Sequence, residues 1–520
     1  MPASMRARIL ASTAIAAFAA AVAGCGGSDS SGPSSVAPAD APLYVEATVR
    51  PEGDLQSNID TLVQEVAGIS DAGAALIVAL NQQLGEAGDG RDLNYGRDID
   101  PWLGEKAGIF LSRFAGDKAQ GVGLAVESTD AAAARQFVDS AAQANDDPVR
   151  DGSYEEVEYK VDQSDGSALG VVEDFVVFGE DVKTFKRAVD ASDGDSLAGT
   201  DEFEGALSDT PEGSLADAYV NAGRLLRSAE GEIDPQAKQA LSAFGVDPDA
   251  AVVVASLVPE VDRVEIDLRA DAGEEPPSTS GAPQLLGSFP ADSVGAFAAS
   301  GLTDELQRAV EQIDRSGVDG TLPQGGLGGG AALAGIDLDE VLASISDVGL
   351  FVAGSDEASL GGALAVSFDN ADVPRNVAVS FGRLLRGTGA AGVSLIGGKV
   401  AGFTLRSADL GRKPAVVLAS GDRLAIGYGL TQTRRALAGN GAQPLSGSSA
   451  FEAATDALGA TPLTGFVDVR AALRLAAGLG ASQEQDFAVA RQYLDKASYA
   501  AIGTSEDGDE VTTKIVVGLP

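Results

Sequence analysis

Four aspartates and one thiol are the residues of this chain whose types and spacing could do chemistry: Asp98 with Asp100, Asp337 with Asp339, and Cys25. Two carboxylates two positions apart could ligate calcium or act as an acid–base pair. Asp100, however, precedes Pro101-Trp102-Leu103 and Asp339 precedes Glu340-Val341-Leu342. A carboxylate just ahead of an apolar turn is how a helix N-cap reads, so capping is the expectation for both. Cys25 is the single cysteine, and there is no histidine. That removes Ser-His-Asp and Cys-His catalysis, imidazole zinc sites and histidine pH switching. Histidine-free alternatives are missing too: the chain holds no Ser-x-x-Lys dyad, no Gly-x-Ser-x-Gly elbow and no Gly-x-x-x-x-Gly-Lys phosphate loop. The run Gln324 to Gly330 lacks the spacing of a dinucleotide fingerprint. No catalytic residue, cofactor or metal site is expected.

The element that positions Cys25 is an export signal. Arg6 and Arg8 form its positive end, Ile9 to Val22 its apolar run, and small residues precede the cut. The run is 14 residues long, shorter than the roughly 20 that cross a bilayer core. Val22-Ala23-Gly24-Cys25 resembles a bacterial lipobox, in which the thiol is acylated and the chain is cut just before it. Residues 1–24 then read as a lipoprotein signal peptide and Cys25 as the lipid attachment site, which places the protein on the extracytoplasmic face of the cell membrane. Residues 25–42, largely GGSDSSGPSSVAPADAP, read as a disordered tether.

Loss of Arg6 and Arg8 leaves 34 basic and 77 acidic residues, a net charge of 34 − 77 = −43. Such a surface repels nucleic acid and anionic headgroups and favours solubility. With 44% hydrophobic residues the chain can build real cores.

Two halves of the chain repeat each other. Leu197-Ala198-Gly199-Thr200 with Phe203-Glu204 matches Leu445-Ser446-Gly447-Ser448 with Phe451-Glu452, an offset of 445 − 197 = 248. The same offset pairs Gly179 with Gly427 and Arg187-Ala188 with Arg435-Ala436. Ala218 to Asn221 pairs with Gly465 to Asp468, Pro38-Ala39-Asp40 with Pro290-Ala291-Asp292, and Leu124-Ala125-Val126 with Leu364-Ala365-Val366. A tandem duplication follows, with repeat A over residues 43–270, a linker over 271–285 and repeat B over 286–520. Each copy opens on an apolar strand and an amphipathic helix, whose face in the first copy carries Leu55, Ile59, Leu62, Val63 and Val66. Short strands follow, with hairpins at Glu173-Asp174 and Gly421-Asp422, and helices capped by Thr200, Ser448 and Asp234 ahead of Pro235. Short hairpin-linked strands with interspersed helices predict an α+β fold on a mainly antiparallel sheet with packed helices.

The exported N-terminus, the opening Pro38-Ala39-Asp40-Ala41-Pro42-Leu43-Tyr44-Val45-Glu46-Ala47 and the following Thr48 to Gly53 resemble the bacterial family known as domain of unknown function 3352. The resemblance implies this architecture over nearly all of the mature chain and brings no active residues with it.

Remaining candidates read as structure. The acidic turns Ser192 to Asp195 and Glu506 to Asp509 lack the ligand spacing of a calcium loop. Glu204 and Glu452 suit the first turn of a helix. Trp102, the lone tryptophan, is expected to pack on the sheet from a helical first turn rather than serve as a binding platform. Ala74 to Leu80 reads as core helix, where the second copy has instead the glycine-rich Gly317 to Gly335. The copies differ most there, so any asymmetry of function is expected in that region. The leading expectation is a non-catalytic, lipid-anchored binding or scaffold protein, joined to the membrane by its lipid and engaging a protein, glycan or lipid partner but no nucleic acid. A carrier of lipid or another apolar ligand is the alternative, and a carboxylate-based glycan hydrolase a third.

Overall fold

The computed structural model describes residues 32–86, 93–115, 118–145, 147–228, 252–271, 282–303, 306–307, 310, 331–407, 412–437, 443–483, 485–508 and 510–520. The signal segment, Cys25, the Asp234-Pro235 cap and Gln324 to Gly330 lie outside the described residues. The chain divides into two compact units, one running to Glu275 and including Gly508–Thr512, the other made of Pro276–Asp507 and Thr513–Pro520.

The first unit opens on a 3-10 turn, Pro33–Val36, followed by β1 (Leu43–Thr48), α1 (Gly53–Ala67), α2 (Ala72–Glu86), a π-helical turn (Tyr95–Ile99), β2 (Leu103–Ala115) and β3 (Lys118–Ser128). Then come α3 (Ala131–Ala144), β4 (Val149–Tyr154), β5 (Val157–Asp162), β6 (Ala168–Val172), β7 (Phe175–Gly179), α4 (Val182–Ser192) and α5 (Asp201–Leu207). It closes with β8 (Ala216–Asn221), α6 (Ala222–Ser228), β9 (Val252–Pro259) and β10 (Arg263–Asp271). Across the sheet the order is β10-β9-β8-β1-β2-β3-β7-β6-β5-β4, antiparallel throughout.

The second unit starts with α7 (Ala282–Gly287), β11 (Ser293–Ser300), α8 (Leu338–Ala343), β12 (Ile345–Ala353) and β13 (Gly361–Phe368). It continues with α9 (Asp372–Gly387), β14 (Val393–Ile396), β15 (Ala401–Leu405), β16 (Ala415–Ser420), β17 (Arg423–Tyr428), α10 (Leu430–Arg435) and α11 (Ser449–Leu458). Last come β18 (Leu463–Asp468), α12 (Val469–Gly478), α13 (Gln485–Leu494), β19 (Tyr499–Asp507) and β20 (Glu510–Gly518). Its order, β20-β19-β18-β11-β12-β13-β17-β16-β15-β14, repeats that of the first unit strand for strand. The register repeats as well. Leu124 pairs with Phe178 as Leu364 pairs with Ile426, and Tyr44 faces Tyr219 as Ala296 faces Phe466.

Because successive side chains in a strand point to opposite faces, each sheet has two surfaces to cover. In the first unit Tyr44, Phe110, Ala125 and Val177 form one face, packed with Val36, with Phe185 and Ala188 of α4 and with Phe203 of α5. Leu124, Val176 and Phe178 form the other, packed with Ile77 and Leu80 of α2, Ala134 and Val138 of α3, and Tyr95 and Trp102. The second unit buries Ala296, Phe351, Ala363, Val416 and Phe466 against Leu285 and Phe289 at α7 and Phe451 of α11. Burying each large apolar side chain contributes about 1.5–3 kcal/mol. Helix starts are fixed by side-chain oxygens: Thr200 accepts from the Phe203 N–H at 3.4 Å and Ser448 from the Phe451 N–H at 3.3 Å.

Several sequence expectations need correction. The tether assigned to 25–42 ends earlier, because Pro33–Val36 turns back on itself and Val36, Ala37 and Ala41 are buried. Small side chains let this arm pack closely, with Leu197 N–H donating to the Ala37 carbonyl at 2.7 Å and Ala39 N–H to the Asp195 carbonyl at 3.0 Å. The linker assigned to 271–285 likewise ends inside α7, whose Ala282, Leu285 and Leu286 are core. Finally, Asp100 caps no helix N-terminus. It closes the π-helical turn, and the chain passes through Trp102 straight into β2.

Tyr44 carries a pH dependence. Its hydroxyl donates to Glu46 at 2.7 Å, and the same carboxylate accepts from the Lys106 ammonium at 2.7 Å. Burial first, and then the Glu46 charge, push its phenol well above the ordinary tyrosine range. A folded-state pKa above the unfolded value near 10 means stability is intact below about pH 10 and is lost as pH rises beyond it. Urea midpoints followed from pH 8 to 11 are expected to fall less steeply in Tyr44→Phe than in the wild type; parallel curves would assign the loss to other groups.

Candidate functional site

The carboxylate pairs do not assemble a catalytic or metal centre. Asp98 accepts from the Arg97 guanidinium and the Asn94 N–H, and these contacts draw its carboxyl below the usual range, the arginine bond leading. Asp100 meets the Arg50 guanidinium. In the second unit Asp337, rather than Asp339, caps α8, accepting from the Glu340 N–H at 3.2 Å, while Asp339 stands in the first turn. Among the described residues no group of three or more acidic side chains could hold a metal ion. Trp102 is buried, as expected, with its indole N–H donating to the Asp98 carbonyl at 2.7 Å and its ring 5.1 Å from Phe137. Glu204 and Glu452 stand in the first turns of α5 and α11.

A cleft of about 1020 Å³ in the first unit is lined by α3 and the β4–β5 and β6–β7 hairpins, and its walls carry Asp139, Asp151, Glu156, Glu158, Glu173 and Asp174. Lys160 rises between two of these, 2.9 Å from Asp139 and 2.8 Å from Asp151. A glycan hydrolase needs one carboxylate facing another across room for the sugar bond, and here an ammonium occupies that place. The hairpin turns are themselves unusual, since Glu155, Glu156 and Glu173 all take positive φ, at 45°, 65° and 49°. Tight hairpins require that conformation, which glycine adopts without strain. Gly421, at φ 59°, fills the place matching Glu173 in the second unit.

Among the described residues, the units differ in what covers one sheet face. In the second unit, two rows of side chains run across β18, β11, β12, β13 and β17. One is Gly465, Phe297, Leu350, Leu364 and Ile426; the other is Val467, Gly295, Val352, Gly362 and Tyr428. Every member is apolar, glycine or tyrosine. Phe297 is 45% exposed, Leu350 46%, Ile426 43%, and Val352, Tyr428 and Val467 38% each. At the position matching Ile426 in the first unit Phe178 is 1% exposed, packed in one cluster with side chains of α2 and α3. Helices flank the strip on both sides: α8 and α9 pack over Val366, Phe368, Ala419 and Leu424, and α12 packs beside β11 and β18 through Val469 and Leu473. Sequence reading placed the asymmetry between the first helix and the first inner strand, and α2, which bears Ala74 to Leu80, does lie there. The bare strip itself was missed, since its residues alternate as any half-buried strand does.

Charge divides along the same line. Residues 32–275 hold 17 basic and 50 acidic side chains, a net of 17 − 50 = −33, whereas residues 276–520 hold 17 and 26, a net of 17 − 26 = −9. No single helix among the described residues is long and apolar enough to cross a membrane; α1 with the first part of α2 passes that test only as a pair bent by 74°.

Among the described residues, fold and site together define an α+β protein with antiparallel sheets and packed helices, with one apolar strip that no described helix covers. The chain belongs to the family described as "Protein of unknown function (DUF3352)", which matches residues 6–370. That match ends just beyond β13, short of the nearly complete coverage the sequence resemblance implies. No curated protein matches the chain. Among solved structures, crystal forms III and IV of TP0453 match at TM-scores of 0.27 and 0.26, with 9% and 11% identity, over 48% and 46% of this chain and 84% and 81% of theirs. Crystal form I matches at a TM-score of 0.18 with 9% identity, over 78% of this chain and 95% of that one. Likenesses at these TM-scores carry no argument.

Proposed function

We propose that this is a non-catalytic, lipid-anchored binding protein on the extracytoplasmic face of the membrane, built by tandem duplication of one α+β unit. The strand order and register common to both units support the duplication, as does a second shared device: Arg187 pairs with Asp40, and Arg435 with Asp292. The observation that carries the binding role is the strip that α2 and α3 help to cover in one unit and whose side chains Phe297, Leu350 and Ile426 are exposed in the other, with no described helix over them. Large exposed apolar patches mark interaction sites in proteins that remain soluble. Cys25 in its lipobox setting supports the anchor. The carboxylate-hydrolase reading is disfavoured by Lys160 standing between Asp139 and Asp151.

The anchor is tested by Cys25→Ala with metabolic palmitate labelling and detergent-phase partition. The wild type is expected to take up label and enter the detergent phase, and the variant to lose both. Unlabelled wild-type protein, or a variant that still partitions with detergent, would remove the anchor from the proposal.

A further inference from the structure

We propose that the turn between β5 and β6, together with the C-terminal end of α3, forms a calcium site in the first unit. Three side-chain oxygens closed to solvent have no hydrogen-bond partner there: Asn145 Oδ1, Asp165 Oδ2 and Ser167 Oγ. Ser167 and the neighbouring Asp162 are both 0% exposed. Buried polar atoms are costly to leave unpaired, and three in one place call for a common partner. The hairpin register puts them together. Val161 pairs with Ala168, and on the next rung the Asp162 N–H donates to the Ser167 carbonyl at 3.0 Å. Side chains directly opposite on a ladder share a face, with Cβ atoms about 5 Å apart, so the Ser167 hydroxyl stands beside the Asp162 carboxylate. Asn145, the C-cap of α3, donates from its amide nitrogen to that carboxylate at 2.7 Å. Asp162 thereby fixes the direction of the amide oxygen. Asp165 spends one oxygen on the Ser167 N–H at 3.0 Å and keeps the other unpaired. The Ser164 N–H and hydroxyl, at 2.7 and 2.6 Å from Asp162, close the turn around it.

The donor set names the ion. Carboxylate, amide and hydroxyl oxygens are hard ligands, and Asp162 and Asp165 bring two negative charges. The C-terminal end of α3 adds the negative pole of a 14-residue helix. The neighbouring cation on this face of β5, Lys160, is already held by Asp139 and Asp151. A bridging water would satisfy the three oxygens and leave the Asp165 charge unanswered. Calcium accepts an irregular shell completed by water, whereas magnesium demands a near-ideal octahedron. Room for those waters lies beside Gly166, at φ 80°, where an added Cβ would meet nothing within 4 Å. The ligands come from two elements, so no local motif marks the site. Its effect is mechanical: α3 and β5 are walls of the acidic cleft, and the ion ties the end of one to the end of the other.

The test uses the purified full chain, freed of metal with EGTA and held in about 0.1 M potassium chloride to screen diffuse attraction to its net charge. Equilibrium dialysis against radioactive calcium and thermal unfolding with and without calcium are the readouts. Saturable binding is expected with a dissociation constant of about 10⁻⁴–10⁻³ M, the range of extracellular modules, together with a calcium-dependent rise in Tm. Asp165→Asn is expected to weaken binding by at least about tenfold. Ser167→Ala removes only an unpaired hydroxyl, so it is expected to weaken binding several-fold while the metal-free Tm does not fall, which separates a lost ligand from a lost fold. Asp193→Asn, on an exposed turn, is expected to change nothing. The proposal is overturned by non-saturable binding, by magnesium binding as tightly as calcium, or by binding that survives Asp165→Asn. It is equally overturned if calcium moves the Tm of neither the wild type nor Ser167→Ala, the result expected of a bridging water.

Discussion

Replacing Phe351 by alanine is expected to lower the stability of the second unit by about 3–5 kcal/mol. The ring is 1% exposed and 5.2 Å from Phe289, a pairing that adds to its apolar contacts. Its cross-strand neighbours on the same face are Ala296 and Ala363. Neither alanine can extend into the space a lost ring leaves, so the cavity persists and the cost lies at the upper end for a phenylalanine truncation. Urea unfolding of the full chain gives the magnitude, and hydrogen exchange gives the place: β12 and β13 are expected to lose protection while β2 and β3 keep theirs. An unchanged midpoint would mean that the core around Phe289 collapses to fill the gap.

The second large effect is expected from Gly123→Ala, at the matching place in the first unit. A Cβ there would sit 2.0 Å from the Cζ of Phe110, itself fully buried. Overpacking of this kind costs about 1–3 kcal/mol. The second unit accepts Ala363 at that position because the Phe351 ring lies over toward Phe289 instead. Phe110 has no such outlet, since Tyr44, Phe185 and Phe203 already crowd its cluster. Restoring room with Phe110→Leu in the Gly123→Ala background is expected to recover part of the loss in a urea titration. If Gly123→Ala alone leaves the midpoint unmoved, the ring is freer than its burial implies.

How much could be read from the chain follows from which interactions are local. Caps and tight turns are local, so Thr200, Ser448, Glu173-Asp174 and Gly421-Asp422 stand where their residue types put them. The repeated offsets hold in the register, because Leu124 and Leu364, or Gly179 and Gly427, occupy matching rungs. The β4–β5 and β14–β15 pairs were not legible. They lie at one end of each strand order, and Val149–Tyr154 has no fully buried residue to impose alternation. The arm from Pro33 to Pro42 was read as tether because composition scores proline and serine as disordered, yet small side chains are what close packing beneath α4 needs. Asp100 failed as a cap since a π-helical turn with Asn94 as its cap came first. The bare strip lay beyond pattern reading altogether. Periodicity says which side chains share a face, and only the tertiary fold says whether a helix arrives to cover it.

The packed arm also has a mechanical consequence. For a chain pulled from its N-terminal side, a load that reaches Gly32 meets the arm before β1. There the load meets the Ala37–Leu197 and Ala39–Asp195 backbone bonds and the Arg187–Asp40 pair, which fasten the arm to the segment after α4 and to α4 itself. Peeling that fastening is the first thing tension can do. The arm acts as a strain relief, yielding before the strands that carry the sheet feel any force.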